Sequence, residues 1–220
     1  SASWYYQNVP GMYKGIAVID KELLRRTWYL REMRKHHPDI YNNCKTEFEL
    51  YETELIKFEN ETERYTKPKT QQDNQDLLKI RTTFLSLLNS IVDKNPERNV
   101  YLSFEVEDVK GERFGEQYQR IPEGLLFRLS KNTEFDSSFV EPDFVYELTN
   151  NTYYHYEFIM QNYLRAFLLR ANYLMNFGKY DDAEKYIKMG IEIENSTGNN
   201  IPKGDSMRLM NKLKQLKTIK

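Results

Sequence analysis

What this sequence lacks narrows its chemistry first. A single cysteine, Cys44, permits no internal disulfide and leaves the redox compartment open. No apolar run approaches the ~20 residues a helix needs to cross a bilayer. Net charge is −1 at pH 7, so no global basic field exists to hold nucleic acid, and no such partner is expected. Histidine is scarce: His36, His37 and His155 are the full set. Adjacent histidines point to different faces of a helix, none stands four residues from another, and there is no second Cys. Neither a metal nor a cofactor is expected from that set. Nucleophile signatures such as G-x-S-x-G are missing, and the glycines of "GERFGE" lack the Lys and the spacing of a phosphate-cradling loop.

Aromatic residues are plentiful, at 14% with 17 Tyr and 12 Phe, which argues against disorder. A hydrophobic fraction of 40% beside a charged fraction of 30% suits a surface-rich helical protein with a real core. Basic residues gather in 21–37 and again from 203 onward, each expected to be a solvated helix face. The chain begins at Ser1 within "SASWYYQN", already aromatic and helix-like, which reads as the continuation of a longer protein.

Periodicity then gives an element order. Residues 3–9 read as a short helix ended by Pro10-Gly11, and "GIAVID" (15–20) as a buried strand. The segment 21–37 is predicted as an amphipathic helix stopped by Pro38. A second helix with an acidic outer face spans 45–65, and a polar loop fills 66–75. A third long helix ends near Asn95-Pro96. Strands are predicted at 99–108 and 124–130, paired to each other, with a glycine-punctuated loop between them. Residues 131–150 read as irregular, and the chain from 152 as helical, with breaks near Gly178 and through "NSTGNNIPKGD". The expected fold is α/β: a small, about three-stranded sheet covered by long helices over 1–130, a connecting segment at 131–151, and a helical region at 152–220.

Within that last region, Ala171, Ala183 and Gly190 place small residues where two antiparallel helices would cross. Phe167, Leu174, Tyr180 and Ile187 supply bulk, and Gly178 ends the first helix. Residues 164–197 thus resemble one tetratricopeptide repeat, with departures at Arg170 and Asn195. No second copy follows; 204–218 reads as a capping helix carrying Met207, Met210, Leu213 and Leu216. A groove built from repeats needs about three stacked units, so a single hairpin reads as a buttress. Its expected contact face lies at Phe167 and Tyr173.

A second resemblance is carried by "SWYYQNVPGMYKGIAVIDKELLRRTWYLREM" (3–33), "NVYLSFEV" and "RIPEGLLFRL". These blocks are similar to the soluble region of large bacterial multi-pass membrane proteins of unknown function. The membrane half of those proteins is distantly like protein O-mannosyltransferases. The resemblance implies a soluble periplasmic tail whose partner is another protein or the membrane portion of its own parent chain. No catalytic residue of that family falls within these blocks, so the chain is expected to be a non-catalytic interaction or scaffolding module.

The alternative is an accessory domain that binds a sugar or nucleotide-sugar, with Asp20, Glu105, Glu107 and Asp108 at strand ends as its candidate ligand groups. Asp20 has a competing role, since it directly precedes a helix and can cap the first free N–H groups. Three glycosylation sequons, at Asn60, Asn150 and Asn195, carry no weight in a bacterial chain. The aromatic group Tyr153, Tyr154, Tyr156 and Phe158, at helical spacing, reads as core.

Overall fold

The computed structural model describes residues 15–109, 111–139, 144, 148, 154–196, 201 and 203–218. The helix and turn expected at 3–11 and the sequon at Asn150 lie outside them. The chain falls into two compact units, Ser1–Arg98 with Lys110–Gly115, and Asn99–Val109 with Glu116–Lys220. The boundary expected at residue 130 therefore lies inside the second unit, which groups the strands with the C-terminal helices.

In the first unit, "GIAVID" forms no strand. Residues 16–20 belong to no regular element, with Ile16 57% and Val18 37% exposed. A strand needs a neighbour for its backbone groups, and among the described residues of this unit no strand exists to provide one. Asp20 ends the stretch as a cap, its Oδ1 accepting from the Glu22 and Leu23 backbone N–H groups at 2.9 and 3.1 Å. A 3-10 turn, Leu23–Arg25, then gives way at extended Arg26 to α1, Thr27–His36. The single helix expected over 21–37 is thus two elements.

Pro38 closes α1 and opens α2, Pro38–Asn43, because its missing N–H costs nothing in a first turn. Then follow α3 (Lys45–Asn60), α4 (Thr62–Thr66) and α5 (Gln71–Asp93). Thr70 and Asp73 form a reciprocal capping box at the start of α5. Helices α3 and α5 pack together around Tyr51 and Phe84, whose ring centroids stand 5.2 Å apart. Glu112 sits between Lys21 at 2.9 Å and Arg25 at 2.6 Å, fixing the 111–115 segment to this helical core. Burial alone would raise the Glu112 pKa, but those two cations outweigh it and hold it low.

The second unit contains the sheet. Strands β1 (Tyr101–Ser103), β2 (Gln119–Glu123) and β3 (Leu126–Ser130) pair antiparallel in the order β1-β3-β2. The expected pairing of the two sequence-read strands holds, with Leu102 opposite Phe127. The 99–108 run keeps only three strand residues before turning into the short helix α6, Phe104–Asp108. Strand β2 arises where a loop is expected. Glu123 pairs with Leu126 across a two-residue turn in which Gly124 takes φ +58°, a conformation that favours glycine. Pro122 is tolerated because β2 is an edge strand.

Helix α7 (Tyr154–Asn176) packs on β2 and forms a hairpin with α8 (Tyr180–Ser196). Gly178, at φ +70°, ends α7 with a 6→1 hydrogen bond from Lys179 N–H to Leu174 O (2.9 Å). A second bond runs from Gly178 N–H to Met175 O (3.1 Å). Ala171 and Ala183 are fully buried, as the close crossing requires. Phe167 and Ile187 are fully buried beside them, and Leu174 nearly so. Helix α9 (Asp205–Thr218) packs on α8. The buried Glu194 carboxylate accepts from Gly204 N–H, Ser206 N–H and Ser206 O–H at 2.9–3.0 Å, tying the start of α9 to the end of α8.

Candidate functional site

Helix α7 has more apolar surface than its neighbours cover. Leu164, Leu168 and Leu169 alternate with Gln161, Arg165 and Asn172 at steps of three and four residues, so they share one face. Asp205, at the start of α9, forms one edge. Together they line a shallow groove of about 310 Å³. Its floor is leucine, and its rim offers an amide at each end, a guanidinium and a carboxylate. Near the start of the same helix, Phe158 and Ile159 are 52% and 48% exposed. Phe158, expected in the core, is therefore at the surface, whereas Tyr156 does pack against the hydrophobic core.

Polar residues around this groove are positioned by local contacts. The Arg165 guanidinium lies 5.0 Å over the Phe104 ring and donates to Phe104 O at 3.4 Å. Asn172 Nδ2 donates back to Leu168 O at 3.2 Å. The Asp205 carboxylate is half exposed and stands 3.2 Å from Arg208, one turn on. This arrangement can receive an apolar side chain and pair polar groups at the edges, which is what a peptide-binding surface requires.

The sequence-read contact residues are elsewhere. Phe167 is fully buried and Tyr173 is 6% exposed, so neither presents a surface. Phe167 meets Tyr186 of α8 and Phe144, with centroids at 6.1 and 5.1 Å. Tyr173 stacks with Phe177, and its hydroxyl accepts from Asp136 N–H at 3.1 Å. Their large apolar area is spent on the core. The groove lies on another side of α7 and was missed because nearly every turn of this helix is apolar, leaving periodicity no single face to select.

The carboxylates of the alternative reading fall in different units. Asp20 is in the first unit, and Glu105, Glu107 and Asp108 are in α6 of the second. Asp20 is engaged as a cap. Glu107 makes a two-pronged pair with Arg120, both contacts at 3.1 Å and both side chains largely buried. Glu105 is exposed. Among the described residues, no group of His, Cys, Asp and Glu is arranged to hold a metal ion. Burial pushes the Cys44 thiol pKa up, against donation from Ser90 and Asn95.

No protein-family model, curated protein or solved structure matches this chain.

Proposed function

We propose that this chain is a protein-interaction module whose contact face is the groove along α7, belonging to a larger membrane-associated protein on its extracytoplasmic side. The observation that carries the contact face is the leucine lining of Leu164, Leu168 and Leu169, of which Leu168 and Leu169 are partly exposed beside polar rim groups. An apolar strip of this kind, rimmed by hydrogen-bonding groups, favours a peptide or helix over a hydrated sugar. The extracytoplasmic placement rests on the resemblance of 3–33 and the two later blocks. Among the described residues, no helix is long and apolar enough to cross a membrane.

A peptide-library selection on the immobilised chain tests this reading. Enriched peptides should share apolar anchors and lose about tenfold in affinity, roughly 1.4 kcal/mol, on Leu169→Asp. A selection with no enriched group, or one indifferent to Leu169, sinks it.

A further inference from the structure

Helix α1 buries one side and leaves a tryptophan on the other. Leu30 and Met33 are buried in the first unit. Trp28, Arg31 and Lys35 follow one another at steps of three and four residues, so they share the opposite face. Trp28 is 47% exposed, and both cations are exposed. The indole stands edge-on to the Tyr29 ring at 5.6 Å. That ring is tied down in turn, its hydroxyl accepting from Asp20 N–H at 3.0 Å.

The charges around this stripe are unevenly matched. Its acids already have partners: Glu32 pairs with His36 at 3.0 Å, and Glu52 holds Arg34 at 2.7 Å. Glu59 accepts from the Thr27 N–H and hydroxyl at 3.1 and 2.7 Å. Among the described residues, Arg31 and Lys35 form no ion pair. The uncompensated charge here is therefore positive, although the whole chain carries −1.

An indole beside free cations on one helix face matches the boundary of a bilayer. There the ring lies at headgroup level and the cations meet anionic phosphates. A protein partner fits less well. Three side chains on a ten-residue helix fall short of the roughly 20–30 residues that a stable interface engages on each side.

We propose that the outer face of α1 docks the first unit on an anionic lipid surface, with Trp28 among the headgroups and Arg31 and Lys35 paired to lipid phosphates. This lipid contact is additional to the peptide-binding reading and uses none of the groove residues, so each stands or falls separately.

The test uses the full chain with Trp4→Phe, which leaves Trp28 as its one tryptophan. It is mixed with vesicles of phosphatidylglycerol and phosphatidylcholine in equal parts, or of phosphatidylcholine alone. With phosphatidylglycerol present, the chain should float with the vesicles and Trp28 emission should shift to the blue; with phosphatidylcholine alone it should do neither. Both effects should fade as salt is raised to about 0.5 M. Arg31→Gln and Lys35→Gln should each weaken vesicle binding about fivefold, while Leu169→Asp leaves it unchanged. Soluble poly-glutamate should leave the emission where it is. The proposal is overturned if the two vesicle types bind alike, if the chain floats without a change in Trp28 emission, or if the glutamine variants bind as wild type does. It is also overturned if poly-glutamate shifts Trp28 as far as vesicles do, since the partner would then be an acidic protein.

Discussion

A Cβ placed on Gly190 would stand 2.7 Å from Ser206 Oγ, and that oxygen is held by its bond to buried Glu194. Leu164 Cδ1 would lie 3.3 Å away on the other side. One glycine therefore sets how closely α8 meets both α7 and the start of α9. Overpacking costs roughly 1–3 kcal/mol, and alanine returns about 1 kcal/mol of helix propensity. Gly190→Ala should lower stability by about 1 kcal/mol net in a denaturant melt. Adding Ser206→Ala should cost less than the sum of the two single changes, because the clash goes with the hydroxyl. Strict additivity would show that the two sites do not press on each other.

Ala183 is fully buried at the other end of the same crossing. Ala183→Phe should destabilise the chain by at least ~1–3 kcal/mol, the usual range for overpacking. An unchanged melting temperature would place residue 183 on an open face and remove the hairpin crossing.

Glu107 separates a structural carboxylate from a ligand-binding one. Its partner Arg120 is 8% exposed, so Glu107→Ala removes both charged contacts of a buried guanidinium, leaving its bond to Tyr118 O, and should cost about 1–3 kcal/mol. The melting temperature should fall steeply, and less for Glu107→Gln, which keeps an acceptor. A sugar-binding role predicts a stable variant instead.

Asp136 gives a pH signature. The Ser138 hydroxyl and then the Arg128 guanidinium hold its carboxyl at about 2, below its ordinary 3.8. A carboxylate depressed on folding stabilises fully above the ordinary value, and the contribution disappears as pH falls through the folded one. The melting-temperature gap between wild type and Asp136→Asn should be widest at pH 5–7 and shrink toward pH 2. A gap independent of pH would mean that the charge contributes nothing.

Local signals were the legible part of this fold. Asp20 capping, the stop at Gly178 and the small residues at 171, 183 and 190 each follow from one or two neighbouring positions, and each has its expected role. Partner-dependent features were not legible. "GIAVID" has the composition of a strand but, among the described residues of its unit, no strand to pair with, and β2 carries Arg120 and Pro122, so its pairing rests on the turn at Gly124. Phe104 leaves the strand pattern because its ring packs on Phe127 at 5.0 Å within the sheet's own core. Phe167 and Tyr173, expected at a surface, are buried for a related reason. Aromatic size marks Phe167 and Tyr173 equally well for burial or for binding, and only the positions of Phe135 and Phe144 decide between the two.

Affinity for a selected peptide and thermal stability, measured together for Leu169→Asp, test the interaction reading most directly. The account predicts about a tenfold loss of binding with the melting temperature within a few degrees of wild type. Binding retained at full strength, or lost only together with the fold, would contradict it.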